Sequence, residues 1–133
     1  MTTAADLHTA MFDAIQARDF DTLQGLFDSR SVHVSGDGVE KRGPDPVVDE
    51  VTTFTTAFPD LIVTIRRQHV SDDTVSVIEY TFSGTHHGDL GGLAPTGKKI
   101  AVVACSVLEA DSGTIKREAD YFDTSALLAQ LGQ

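Results

Sequence analysis

Ile100-Ala101-Val102-Val103-Ala104-Cys105-Ser106-Val107-Leu108-Glu109-Ala110, then Asp111-Ser112-Gly113, then Thr114-Ile115-Lys116-Arg117-Glu118-Ala119-Asp120-Tyr121-Phe122, reads as two strands closed by a tight turn. Small and apolar residues recur at every second position from Val102 to Leu108, the period of a strand with one buried face. Taken as a three-residue loop, Asp111-Ser112-Gly113 sets Ala110 opposite Thr114, Ser106 opposite Glu118 and Ala104 opposite Asp120. Glu118 and Asp120 then share the face of Val102, Ala104, Ser106 and Leu108, while Ile115, Arg117, Ala119 and Tyr121 take the other. A two-residue loop would change the cross-strand partners but leave Glu118 and Asp120 side by side.

Working outward, Leu61 to Val70 and Val75 to Ser83 form a second hairpin about Ser71-Asp72-Asp73. Between the hairpins runs Gly84-Thr85-His86-His87-Gly88-Asp89-Leu90-Gly91-Gly92-Leu93-Ala94-Pro95-Thr96-Gly97. So much glycine, with a proline that withholds a donor, predicts a shaped loop at the rim of a sheet.

The front of the chain is helical. Leu7, Met11, Ala14 and Ile15 recur at helical spacing from Thr3 to about Arg18, and a short second helix turns Phe20, Leu23, Leu26 and Phe27 inward. Ser31 to Ser35 is a weak strand ended by Gly36-Asp37-Gly38. Pro44-Asp45-Pro46 opens a third helix, with Asp45 as its cap, a stripe of Val47, Val48, Val51, Phe54 and Phe58, and Pro59 as its stop. After Asp123 or Thr124 a last helix docks Leu127, Leu128 and Leu131, with Gly132 at its end. Helices in front and strands behind give an α+β fold, a curved mixed or antiparallel sheet covered by helices, in a single domain over residues 1–133.

The net charge of −10 argues against nucleic acid or an anionic membrane as a partner. The single cysteine, Cys105, excludes an internal disulfide and reads as a small buried hydrophobe. With no leader and no long apolar run in the sequence, a cytoplasmic location is expected. No Gly-x-Ser-x-Gly elbow, phosphate-cradling glycine loop or Cys-x-x-Cys occurs.

The chemistry centres on Glu118 and Asp120. Two carboxyls facing an apolar cavity hold one proton above its solution pKa, which makes a general acid/base; on a solvated face they would be ordinary surface acids. His86 and His87 are adjacent, so an extended backbone points them to opposite sides and they cannot easily share a metal. His33, between Val32 and Val34, reads either as a pocket proton carrier or as a satisfied buried polar group. No metal or cofactor is expected.

Three ordered motifs carry a resemblance: Phe58-Pro59-Asp60-Leu61, Gly84-Thr85-His86-x-Gly88 leading to Pro95-Thr96-Gly97, and Asp120-x-x-Asp123 followed by Leu128-x-Gln130-Leu131-Gly132. Together they resemble the SnoaL-like polyketide cyclases, small members of the nuclear transport factor two-like superfamily. The resemblance implies a cone of curved sheet closed by helices, a homodimer, and a largely apolar pocket. It also implies cofactor-free chemistry such as aldol ring closure, with Asp120 in the acid/base position and His86 in the Gly-Thr-His position. Members often carry Arg-Trp where this chain has Glu79-Tyr80, and tryptophan where it has Ala119. The expected activity is acid/base chemistry on a hydrophobic, carbonyl-bearing small molecule such as a polyketide intermediate. Asp120 would move the proton, His86 or His33 would donate to the developing oxyanion, and Glu118, Tyr80, Phe82, Ser106 and Leu93 would contact the substrate. The alternatives are a binding or sequestering protein of the same fold, an isomerase- or epoxide-hydrolase-like enzyme, and an oligomerisation module.

Overall fold

The computed structural model describes residues 2–133. Helices α1 (Ala4–Ala17) and α2 (Phe20–Gly25) lead into β1 (Phe27–Val34) and β2 (Glu40–Arg42), followed by α3 (Asp45–Ala57). The long strands β3 (Ile62–Ser71), β4 (Val75–Thr85), β5 (Lys99–Asp111) and β6 (Thr114–Phe122) come next, and α4 (Thr124–Gln130) closes the chain. One curved sheet of order β2-β1-β6-β5-β4-β3 results, antiparallel except where β1 runs parallel to β6. That parallel pair brings the N-terminal half of the chain against the strand that carries Glu118 and Asp120. Among the described residues no helix is long and apolar enough to cross a membrane.

Helix α1 starts at a capping box. Thr3 Oγ1 accepts from the Asp6 N–H at 3.2 Å and Asp6 Oδ2 accepts from the Thr3 N–H at 3.0 Å, so two otherwise orphaned donors are satisfied. Its buried stripe, including Leu7, Met11 and Phe12, packs on the inner face of the sheet, where Ile78, Tyr80, Phe82, Val102, Ala104 and Leu108 supply the facing layer. Arg18 ends the helix in a left-handed conformation, and its guanidinium donates to the Leu61 carbonyl at 2.9 Å, pinning α1 to the start of β3.

Several local expectations are corrected. Asp45 is the first residue of α3 rather than its cap; Pro44 takes that place, and Asp45 Oδ1 instead accepts from Gln24 Nε2 at 2.8 Å, joining α2 to α3. Phe27 opens β1 instead of extending α2, and β2 is a short strand after the Gly36-Asp37-Gly38 turn where the sequence pattern predicts none. Cys105 lies on the outer face and is only half-buried, next to Val103, which is 74% exposed.

The last hairpin turns on two residues. Ser112 and Gly113 both have positive φ, 53° and 77°, the geometry of a tight hairpin turn, and Asp111 faces Thr114. Past Glu109 the register is Leu108 opposite Glu118, Ser106 opposite Asp120 and Ala104 opposite Phe122, two residues away from the three-residue reading. A bulge between Glu109 and Ala110 on one side and Ile115 and Arg117 on the other leaves Lys116 unpaired. It also turns Ile115 inward, fully buried, where strict alternation had placed it outside.

Candidate active site

Between α1, α3 and the inner face of the sheet lies a cavity of about 70 Å³. A single water occupies roughly 10–15 Å³ on this measure, so the space suits a small organic group. Its walls are mainly apolar side chains of α1, α3, β3 and β4, and its polar end is formed by His33, Glu50, Tyr80, Glu118 and Asp120.

Asp120 and Glu118 alternate with Ala119 on β6, so both point inward, as the pattern predicts. Glu118 is wholly buried, and Asp120 opens onto the cavity. Burial pushes the Asp120 carboxyl well above the usual carboxylate range; the charges of Glu118 and Glu50 push the same way, and His33 only partly opposes them. The Tyr80 hydroxyl donates to Asp120 Oδ1 at 3.0 Å. Burial, then the charge of Asp120, holds that phenol well above its ordinary pKa, so it remains a neutral donor.

His33 sits directly opposite Glu118 in the parallel pair, buried, with Nδ1 2.8 Å from Glu118 Oε1. Its Nε2 bonds Glu50 on α3. Burial works against the imidazolium, but the hydrogen bonds to Glu118 and Glu50 and the charges of Glu118 and Asp120 outweigh it and raise the pKa to about 10. His33 is thus held between two acidic side chains that favour its cationic form. Both ring nitrogens are committed, so His33 orders the site more readily than it donates to a ligand.

A buried chain fixes Glu118 from behind. Ser106 Oγ donates to Glu118 Oε2 at 2.6 Å, so its 2.9 Å contact with His8 Nε2 requires the imidazole to donate. His8 Nδ1 then accepts from Ser76 Oγ at 2.7 Å, and Ser76 accepts from Gln68 Nε2 at 3.1 Å. Burial lowers the His8 pKa to about 4, against the pull of Glu118, which agrees with a neutral ring bonded in this sense. An amide cannot pass a proton on, so the chain ends at Gln68 as a clamp and not as a proton path.

His33, Glu50 and Asp120 each offer one ligand atom, all within 4.8 Å of one another, a spacing a cation could span. Such a cation would first have to break the hydrogen bond between His33 Nε2 and Glu50.

A family model, the SnoaL-like polyketide cyclase, matches residues 5–131. The chain belongs to the SnoaL-like polyketide cyclase family. No curated protein matches the sequence. Among solved structures, IdmH of Streptomyces antibioticus, described as a candidate polyketide cyclase, is similar at 21% identity, with 98% of this chain and 99% of that chain covered and a TM-score of 0.82. AclR of Streptomyces galilaeus, described as a candidate hydroxylase, is 24% identical over 97% of this chain and 80% of its own, with a TM-score of 0.83. An LEH-like epoxide hydrolase of M. tuberculosis is 23% identical over 96% and 88%, with a TM-score of 0.72. These likenesses establish the nuclear transport factor two-like fold, and their differing labels leave the chemistry to be argued from side chains.

In this SnoaL-like chain the predicted residues Asp120, Glu118, His33, Tyr80 and Phe82 converge on the cavity, with Ser106 directly behind Glu118. His86 and Leu93 do not join them. His86 is fully buried beside Phe58, and its Nδ1 accepts from the Thr96 N–H at 3.1 Å, so it braces the glycine-rich loop. Leu93 closes a small bridge with Leu90 in that loop. Glu50 and His8 were missed, although each left a signal: a charged or polar residue within an otherwise apolar helical stripe, Glu50 between Val47 and Phe54, His8 between Leu7 and Met11.

Proposed function

We propose that the protein is a cofactor-independent acid/base enzyme that enolises a hydrophobic, carbonyl-bearing small molecule, with aldol ring closure of a polyketide-type intermediate as the reaction nearest its family. The observation that carries this is Asp120, a carboxyl raised in pKa and open to an apolar cavity, with the Tyr80 hydroxyl on it. A base with a raised midpoint is strong enough to take a proton next to a carbonyl and weak enough to return it. As Asp120 gains the proton its charge disappears, and the Tyr80 hydroxyl is freed to turn to the substrate oxygen on which charge has appeared. The Glu118–His33–Glu50 triad keeps the surrounding field fixed while this happens. In place of His86, this reading gives the oxyanion donor to Tyr80.

The test is deuterium exchange at the α-carbon of a plain aryl ketone, α-tetralone, in D2O, followed by NMR. Exchange well above background with the intact protein, lost in Asp120→Asn and reduced in Tyr80→Phe, is the expected result. Background exchange in all three proteins would leave a non-catalytic ligand carrier as the function of the cavity.

A further inference from the structure

Three of the rings lining the cavity stand at right angles to one another. Phe54 and Phe82 are 5.6 Å apart at 78°, Phe54 and Phe122 6.2 Å at 87°, and Phe82 and Phe122 5.3 Å at 80°. Three mutually perpendicular rings that each face one point about 4 Å away would have centroids about 6 Å apart, a corner in which a cation can touch every face. All three rings line the cavity, at edge-to-face angles and with spacings that such a corner would also give.

Carboxylates stand next to it. Asp120 precedes Phe122 by two residues on the same face of β6, and Glu50 lies one helical turn before Phe54 on α3. Counting Glu118, three acidic groups line the cavity against the single cation His33, which is already clamped between Glu118 and Glu50. No lysine or arginine is among the lining residues. A primary ammonium would need three hydrogen-bond acceptors, which phenylalanine walls do not supply. A quaternary ammonium needs none and a tertiary one needs a single acceptor, which a carboxyl of the cavity supplies: the alkyl groups suit an apolar wall and the charge suits ring faces and acidic groups.

We propose that the cavity recognises a small molecule bearing a tertiary or quaternary alkylammonium group, seated against Phe54, Phe82 and Phe122 and next to the acidic end of the cavity at Asp120 and Glu50, where its charge favours the ionised form of Asp120. This names the ligand class of the site described above, and it rests on that reading in taking the cavity as the ligand site. In such a ligand the carbonyl lies on the Tyr80 side of Asp120.

The test compares choline with its neutral isostere 3,3-dimethylbutan-1-ol on the intact protein, in salt sufficient to screen the overall negative charge. Choline should bind about tenfold or more tightly than the alcohol, with its N-methyl protons shifted upfield by the rings. Phe54→Leu and, separately, Phe122→Leu leave the net charge alone and should each cut choline affinity about fivefold or more while the alcohol changes little. Equal affinity for the two probes, tighter binding of the alcohol, or no choline binding up to about 50 mM would overturn the proposal. So would a choline preference that survives both substitutions, since the attraction would then be general electrostatics. Loss of choline selectivity with tetralone exchange intact removes the ammonium alone; selectivity with exchange at background removes the enolisation alone.

Discussion

The Tyr80 hydroxyl reaches Asp120 over an intervening strand, 3.0 Å from Oδ1. Tyr80 lies on β4, Asp120 on β6, and β5 runs between them. The path is open because β5 sets Ala104 beside Tyr80 and Ser106 beside Asp120, two of the smallest side chains available. The small, regular alternation along β5 is therefore a requirement of the site as well as of packing.

Tyr80→Phe keeps the ring and removes a donor that favours the ionised carboxylate. The Asp120 midpoint should therefore move further upward, read by carboxyl 13C NMR against pH. The stability lost should be about 1 kcal/mol in urea unfolding, the usual net worth of one hydrogen bond. A midpoint that stays put or falls would mean that the hydroxyl does not act on Asp120.

Stability should decline on the alkaline side for two separable reasons. His33 has its pKa raised to about 10, so the native state binds a proton that the unfolded chain gives up above its ordinary midpoint of 6.5. Its contribution is complete below that value and is lost as pH rises through 10. Asp120 is also raised, so from near 3.8 upward the native state again holds the extra proton, and stability falls until the folded midpoint is passed. Each unit of difference is worth about 1.4 kcal/mol. Urea unfolding at about pH 5, 7 and 9 should show Asp120→Asn gaining on the wild type as pH rises, and His33→Gln losing most at the acid end of that range. Parallel profiles for all three proteins would contradict both shifts.

Gly88→Ala tests why the glycine-rich loop has its composition. The N–H groups of His87 and Gly88 both donate to the Ala57 carbonyl at 3.0 Å, pressing the loop against the end of α3. A Cβ on Gly88 would run into the Thr56 carbonyl, with the carbonyl carbon only 2.9 Å away, and backbone cannot swing aside as a side chain can. The substitution should cost about 1–3 kcal/mol, measured by thermal or urea unfolding. An unchanged midpoint would show that the loop is not held as described.

What the sequence made legible follows the range of each force. Alternation is local, so the inward pair Glu118 and Asp120 and the small residues of β5 could be read directly. The hairpin register could not, because it depends on whether Asp111 pairs or turns, and the Lys116 bulge that brings Ile115 inside has no local signature. Partnerships across the fold were out of reach: Glu50 meets His33 only because α3 lies over the parallel β1–β6 pair. His86 drew attention as a histidine in a glycine-rich motif, and its position away from the cavity, bonded to Thr96 and Lys98, depends on how the loop folds back and not on any local pattern.

His8→Phe isolates the clamp behind Glu118. The ring would keep its apolar surroundings, including the edge-to-face contact with Phe12, while Ser76 and Ser106 would each lose one hydrogen-bond partner. Because each serine keeps another partner, Gln68 or Glu118, the loss should be about 1–3 kcal/mol near neutral pH and not a collapse of the fold. The pH dependence separates this from simple packing. With a native pKa near 4 and an unfolded value of 6.5, His8 makes the wild type lose stability as pH falls from 6.5 toward 4, since only the unfolded chain takes up the proton there. The variant should lack that acid-side decline, so its deficit should shrink as pH is lowered. Imidazole 15N NMR of the wild type should place the His8 proton on Nε2 near neutral pH, as donation to Ser106 requires. A proton on Nδ1, or a deficit that stays constant with pH, would contradict the direction of the chain.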